Sequence, residues 1–285
     1  MTFRFMKYRK ITYVISVLLV VGSILSLADR GLNYGIDFAG GIVMEVKSKN
    51  ADYGIAKMRS DLGEFRPEMQ EDNNGNILIR IGLAKNATDE AQNQIVREIK
   101  ETLGTKVSYE QVQIVGPKIG GELVRGGIMA IVFAFFMMGL YIWIRYKGGY
   151  AVGALVSLSL DFILMFGFFS IVGLEFSQIA IAVILMGVGY SINDKIVNYD
   201  RIMENTRKYH KMPMADLIDL SVNEMLVRTL MTSVSTALAM VAMLMFAFGV
   251  LGEFAIAMIF CIFMGTFSSV FISNACLMYF NIREN

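Results

Sequence analysis

Hydrophobic residues in this chain gather into six stretches, at residues 11–28, 126–144, 148–174, 176–193, 229–252 and 254–282, and Asp161 is the one charged residue within them. A bilayer core of about 30 Å needs roughly 20 helical residues, so each stretch has the length of a transmembrane helix. Between the first and second stretches the pattern changes. Residues 29–122 are dense in charge, their apolar residues alternate, and turn formers punctuate them. A strand is predicted over 41–47 and a helix over 51–62, with Ile55, Met58, Arg59 and Leu62 at spacings of three and four. Strands over 64–70 and 76–82 flank Asp72-Asn73-Asn74-Gly75, a hairpin signal because Asn-Gly tolerates the positive φ of tight turns. A helix over 88–103 follows, with Thr88 as N-cap and Ala91, Ile95, Val96, Ile99 and Leu103 as its stripe, and a strand over 107–115 closes the segment. That order, β-α-β-β-α-β, is ferredoxin-like. The expected fold is a polytopic α-helical membrane protein of six transmembrane helices, with a small ferredoxin-like α+β domain between helices 1 and 2.

Basic residues orient the spans, because short cytoplasmic loops collect Lys and Arg. Arg4, Lys7, Arg9 and Lys10 precede the first stretch, Arg145 and Lys147 separate the second and third, Arg201, Arg207, Lys208 and Lys211 follow the fourth, and Arg283 follows the sixth. The short loops around Glu175 and Glu253 carry no Lys or Arg. The expected organisation is a cytoplasmic N-terminus and transmembrane helix over 1–28, a periplasmic domain over 29–122, and helices 2–6 over 123–285 with a cytoplasmic loop at about 202–222. Both termini are then cytoplasmic. Ser26-Leu27-Ala28 also fits a signal cleavage site, although the apolar run exceeds the 7–15 residues of a usual signal core, which favours retention.

Composition narrows the chemistry. Of 285 residues 55% are hydrophobic and 18% charged, against roughly 45–50% and about 25% for soluble domains. A net charge of +1 argues against nucleic-acid binding, which needs a basic excess on one face. His210 is the sole histidine, so hydrolytic triads and histidine metal sites are not expected, and neither a catalytic centre nor a metal nor a cofactor is predicted. Cys261 and Cys276 lie about 22 Å apart if their run is helical, too far to pair. Gly187-Val188-Gly189 lies inside a span and suits close helix packing rather than a dinucleotide loop. Residues 116–121 read as a linker, and Met214, Leu217, Ile218 and Leu226 as an amphipathic segment on the cytoplasmic surface.

Ionisable residues inside spans cost at least about 2.5–3.5 kcal/mol each at the bilayer centre and so need a reason. Asp194 lies about 10 Å inside the fourth span if that helix ends at Arg201, and Arg228 lies at similar depth in the antiparallel fifth. A facing Asp194–Arg228 pair is geometrically feasible, either as a structural ion pair or as a proton site. Asn198, four residues from Asp194, shares its face and is placed to hydrogen-bond the carboxylate. Asn193 is a weaker candidate. Asp200 and Arg201 are expected near the interface, and Lys195, about 100° around the helix from Asp194, is read as snorkelling. Asp161 is open to two readings, a transport role and a helix-packing hydrogen bond.

Five segments carry a family resemblance. They are Gly35-Ile36-Asp37-Phe38-Ala39-Gly40-Gly41, Val115-Gly116-Pro117-Lys118-Ile119-Gly120, the run Gly189-Tyr190-Ser191-Ile192-Asn193-Asp194 continuing through Asp200-Arg201 to Asn205, Arg228-Thr229-Leu230-Met231-Thr232-Ser233, and Gly265-Thr266-Phe267-Ser268-Ser269. In this order they resemble the SecF branch of the SecD/SecF protein-export family, related to the resistance-nodulation-division transporters. The resemblance implies a subunit of the inner membrane that works with SecD, and with the SecYEG translocon and YajC, and uses the proton gradient in late export of secretory polypeptides. It assigns Asp194 and Arg228 to proton conduction, with Asp161 and Asn198 as further candidates on their placement in the spans, and Gly35, Asp37, Phe38, Gly40, Gly41, Gly189, Tyr190, Asn193, Asp200, Arg201, Thr229, Thr232 and Ser233 to family motifs. The chain departs from the pattern at Leu160, where the family often has histidine, and at Lys195, where a small or polar residue is usual. Transport of a small molecule or lipid is the alternative within that superfamily, and a passive scaffold a third; the small outer domain favours export.

Overall fold

The computed structural model describes residues 3–49, 53–71, 75–82, 89–146, 148–246 and 249–280. Asp72, Asn73 and Asn74 of the expected turn, the Thr88 cap, Lys147 and Arg283 lie outside these. After a 3-10 turn at Phe5–Tyr8 come α1 (Arg9–Asp29), β1 (Asn33–Tyr34), the single-turn α2 (Ile36–Ala39), β2 (Gly41–Ser48), α3 (Ile55–Asp61), β3 (Glu68–Glu71), β4 (Asn76–Gly82), α4 (Asp89–Leu103) and β5 (Val107–Val115). The chain continues as α5 (Pro117–Arg145), α6 (Gly148–Val172), β6 (Glu175–Phe176), α7 (Gln178–Lys208), α8 (Met214–Phe246) and α9 (Val250–Phe267), which runs on through a π turn at Ser268–Ser273. Among the described residues six helices are long and apolar enough to cross a membrane. The chain is a multi-pass membrane protein.

Helices α1, α5 and α8 turn most of their apolar side chains outward. Along α1, Val14, Val17, Leu18, Val21 and Leu25 are exposed while Thr12, Ser16 and Ser23 are buried. In lipid, burying apolar surface gains little, so small residues that bring helices close define the interfaces. Ser23 packs on Gly167 of α6, where a Cβ would sit 2.2 Å from its side chain, and Ser26 hydrogen-bonds Ser170 at 2.9 Å.

The small domain obeys the opposite rule. Its sheet runs in the order β3-β4-β2-β5 with every neighbour antiparallel, the ferredoxin-like arrangement. Alternation sends Ile42, Met44 and Val46 of β2 and Ile77, Ile79 and Ile81 of β4 to the face covered by Met58 and Leu62 near α3 and Ile99 and Leu103 of α4. On the other face Val43, Glu45, Leu78, Arg80, Gln111 and Gln113 overlook the bundle across a cleft of about 370 Å³.

Four expectations need correction. The strand expected over 64–70 is a 3-10 turn at Gly63–Phe65 and a short strand at Glu68–Glu71, because Arg66 adopts φ 44° before Pro67 and breaks the extended run. The helix expected over 51–62 occupies only Ile55–Asp61. The loop expected at about 202–222 is a five-residue turn at 209–213, since α7 reaches Lys208 and α8 starts at Met214. The supposed amphipathic surface segment forms the first turns of α8, with Leu217 and Ile218 packed into a core with Phe5, Met6, Tyr199 and Ile202. The Met6 amide also donates to Asp219 Oδ1 at 2.8 Å, so the N-terminus, the α7–α8 turn and the α5–α6 turn share one basic end of the bundle.

Candidate functional site

Asp194 sits about 24 Å from the first residue of α7 and about 21 Å from its last, at the middle of a 31-residue helix. Asp161 occupies the corresponding middle of the 25-residue α6. Gly187, Ser191 and Lys195 recur every four residues and so share one face of α7. Their size lets α9 approach. A Cβ on Gly187 would fall 2.1 Å from Cys261 Sγ, and one on Gly265 of α9 2.9 Å from Ser191 Cβ.

A charged cluster fills this contact. Lys195 Nζ donates to Asp161 Oδ2 at 2.8 Å, to Ser268 Oγ at 3.2 Å and to Ser191 Oγ, and the Ser191 hydroxyl donates to the same Asp161 oxygen at 2.7 Å. The two charged side chains are 0% and 2% exposed. Ser268 opens the π turn, and its carbonyl accepts a bond from Ser157 of α6 at 3.2 Å. π turns inside α-helices recur at functional sites. The expectation that Lys195 snorkels is therefore corrected. With α7 reaching Lys208, Lys195 lies about 20 Å from the helix end, beyond the reach of its side chain.

Asp194 is 3% exposed and makes no ion pair among the described residues. Its polar neighbour is the Thr266 hydroxyl. Thr266 hydrogen-bonds Ser233 of α8 at 2.9 Å, and Ser233 accepts from Tyr190 of α7 at 3.4 Å, so three helices contribute to one chain of hydroxyls leading to the carboxyl. Asp194 Oδ2, Asp161 Oδ1 and Asn198 Nδ2 are buried without a hydrogen-bond partner among the described residues. The bond expected between Asn198 and Asp194 is thus absent.

The expected Asp194–Arg228 pair is also absent. Thr229 and Ser233, four residues apart, are the buried residues of α8 at this level. Arg228, one residue and about 100° before Thr229, points out of the bundle and is exposed. Thr232 is exposed and donates to the carbonyls of Arg228 and Thr229. Gly189 and Asn193 are exposed together on α7. At the basic end Asp200 accepts bonds from Arg145 at 3.2 Å and the Tyr146 hydroxyl at 2.9 Å, and Arg201 pairs with Glu204 at 2.6 Å and Glu224 at 2.7 Å.

The glycine-rich motif at the opposite end forms a joint. Gly40 takes φ 79°, and a Cβ on Gly41 would lie 2.8 Å from the Ile81 carbonyl, so the chain can pass from α2 into β2 only with glycine at both places. Phe38 is buried with Phe162, Phe176 and Ala180 of the bundle. Asp37 Oδ2 accepts the Gln178 amide at 3.2 Å, which caps the first turn of α7. The Gly35 amide donates to the Phe176 carbonyl at 3.0 Å, next to the parallel pairing of β1 with β6. Arg80 of β4 is ion-paired with Glu175, whose amide donates to Glu253 Oε2 at 3.1 Å.

Comparison with known proteins places this arrangement. The family described as protein export membrane protein SecD/SecF, C-terminal, matches residues 95–283, and the SecD/SecF GG motif matches 25–52. The protein translocase subunits SecF of Rickettsia felis and Rickettsia rickettsii are each 39% identical over 290 residues, covering 99% of this chain and 93% of theirs. The crystal structure of SecDF, a translocon-associated membrane protein from Thermus thermophilus, superposes with a TM-score of 0.82 at 30% identity, over 98% of this chain and 38% of that one. A structure of SecDF in a super-membrane-facing form gives 0.73 at 30% identity, over 98% of this chain and 39% of that one. The chain spans less than two-fifths of those SecDF chains.

Proposed function

This chain belongs to the SecD/SecF family of protein-export membrane proteins, and from that premise we propose that it is a proton-driven SecF subunit in which Asp194 carries the proton. In this reading it works beside SecD, with SecYEG and YajC as further partners, and promotes late export of secretory polypeptides across the cytoplasmic membrane. The basic end with both termini faces the cytoplasm, and the 29–122 domain faces the outer side. The clustering of Arg4, Lys7, Arg145, Arg207 and Lys208 at one end of the bundle supports that orientation.

One observation carries the reading. Asp194 is buried at mid-span and makes no ion pair among the described residues, and an ionised carboxylate there, with the nearby Lys195 already engaged by Asp161, would be costly in a medium of low dielectric. Such a group holds a proton, and releasing it changes the charge of the bundle core. A structural ion pair, the rival role, requires a partner that Arg228 does not supply. In the reading, proton loss and gain at Asp194 alters how α7 packs on α8 and α9, and the joint formed by Asp37 and Phe38 carries the movement to the outer domain.

The test is Asp194→Asn, nearly isosteric and unable to ionise. In membrane vesicles with an imposed proton gradient this variant is expected at normal abundance, with late-stage export and proton flux both lost. Export at the wild-type rate with a full response to the gradient would refute the assignment.

A further inference from the structure

Two carboxyl groups and one ammonium group are buried together in the bundle core. On α6 the ionisable group facing the cluster is Asp161. On α7 it is Asp194 and Lys195 themselves, with Tyr190 and Tyr199 one to two turns away, and on α9 it is Cys261. Arg228 of α8 points outward, and Glu122, Arg125 and Arg145 lie toward the ends of α5. Among the described residues Lys195 is thus the cation of the core, and it binds Asp161 rather than its neighbour in sequence.

We infer that Lys195 is a counter-ion shared by Asp161 and Asp194, and that its position decides which of the two carboxyls holds the proton. The inference deepens the proton reading of Asp194 and rests on it. The argument is one of charge. With a single ammonium present, the cluster is neutral only when the two carboxyls together hold one proton, and neutrality is what a low-dielectric core favours. In the arrangement seen, Lys195 neutralises Asp161, so the proton resides on Asp194. When Lys195 turns its ammonium to Asp194, that carboxyl gives up its proton and Asp161 takes one up. The ammonium keeps its own protons throughout, so one proton leaves at one carboxyl and one enters at the other.

Three features of the site suit this exchange. Asp161 Oδ1 and Asp194 Oδ2 each lack a donor, so each has a free lone-pair site for a proton or an ammonium. Both Ser191 and Ser268 touch Lys195 Nζ and present hydroxyls that either donate or accept. Thr266, beside Asp194, and Ser268, beside Lys195, lie two residues apart where α9 enters its π turn. A lysine here is not a passive filler. Lys195 acts as a positioning residue, working through the two acids.

The experiment is infrared spectroscopy of the purified full-length protein in lipid vesicles at neutral pH, following the carbonyl band of protonated carboxylic acids. Wild type is expected to show one such band from the core, lost in Asp194→Asn. Asp161→Asn is expected to lose the same band, because Lys195, deprived of its partner, neutralises Asp194 instead. The double variant Asp161→Asn/Lys195→Met is expected to regain it. A merely structural Lys195–Asp161 pair predicts that Asp161→Asn keeps the Asp194 band, and that result overturns the inference, as does a double variant that stays without it. If Asp161→Asn does not fold, Lys195→Met takes its place. It is expected to show a second band, from Asp161, and a single band there overturns the inference equally. Failure of the underlying reading looks different: wild type would lack the Asp194 band altogether, and Asp194→Asn would export normally.

Discussion

The outer domain and the membrane bundle differ in what they expose and in the polar groups they bury. In the domain Ile42, Met44, Met58, Leu62 and Ile79 are fully buried, and Glu90, Arg97, Glu98, Lys100 and Glu101 of α4 face out. In the bundle Ser191, Lys195, Ser268 and Asn274 are fully buried, while Phe246 is 83% and Ile144 76% exposed. One chain therefore contains two solvents' worth of rules. Water drives apolar side chains together in the first, at about 25 cal/mol per Å². In the second no such force acts between helices, and close backbone approach with hydrogen bonds among small polar residues takes its place.

The contrast is broken most severely where it depends on a missing side chain. Gly187→Leu drives new atoms into Cys261, separating α7 from α9, and is expected to remove most of the protein from the membrane, read as abundance and protease resistance. The equivalent damage to the domain is smaller and local. Ile79→Ala is expected to cost about 2–5 kcal/mol and to speed hydrogen exchange through β2, β4 and β5 while α6, α7 and α9 stay protected. Exchange spreading equally into those helices would show that the two regions fold as one. At the seam, Arg80→Gln leaves Glu175 without its cation and is expected to cost about 1–3 kcal/mol, seen as faster exchange at the β1–β6 pairing. Within the bundle, a double-mutant cycle of Ser26→Ala and Ser170→Ala is expected to give a coupling of about 0.6 kcal/mol, measured by unfolding in mixed detergent.

The smallest effect belongs to the domain surface. The Tyr53 hydroxyl at 2.5 Å, and then the Lys106 ammonium at 3.1 Å, hold the Asp61 carboxyl below its ordinary range. A carboxyl whose folded value is lowered contributes stability above its unfolded value, about 3.9, and loses it as pH falls through the lowered folded one. Asp61→Asn is therefore expected to lower the domain's melting temperature slightly at pH 7 and to leave it unchanged at acid pH. An equal drop at both would assign the effect to packing.

What could be read from the sequence follows the same division. The domain's four strands and two helices were legible because water writes a period of two or of 3.6 into exposed elements, as in Ile42, Met44 and Val46 or Ile95, Ile99 and Leu103. The one strand that fell short did so at Arg66, whose positive φ has no composition signal. The six spans were legible from length alone, but rotation within them was not. In a helix apolar on all sides, hydropathy cannot say which face is inward. Depth alone therefore pairs Arg228 with Asp194, whereas the buried hydroxyls of Thr229 and Ser233 mark the inner face of α8. Reading Lys195 as snorkelling fails for a related reason. The residue's spacing of four from Ser191 and eight from Gly187 was the available signal, and it placed the lysine on the small-residue stripe where helices touch.

Asp37 holds the first turn of α7 and Arg201 ties its far half to α8; Asp194 lies between them, about 24 Å from Gln178 and about 10 Å from Arg201. A straight helix of 31 residues neither stretches nor shortens usefully, so it transmits angle. Pivoted at the tight contact of Gly187 and Ser191 with α9, it behaves as a lever: Gln178 lies roughly 17 Å from the middle of that contact, so a tilt of about 5° moves it by roughly 1.5 Å. The arm toward Gln178 ends beneath the glycine joint of the outer domain, and the arm toward Arg201 ends on Glu224 of α8. In the proposed reading a charge change at Asp194, close to that pivot, moves the two arms in opposite directions without any residue along α7 leaving its helical conformation.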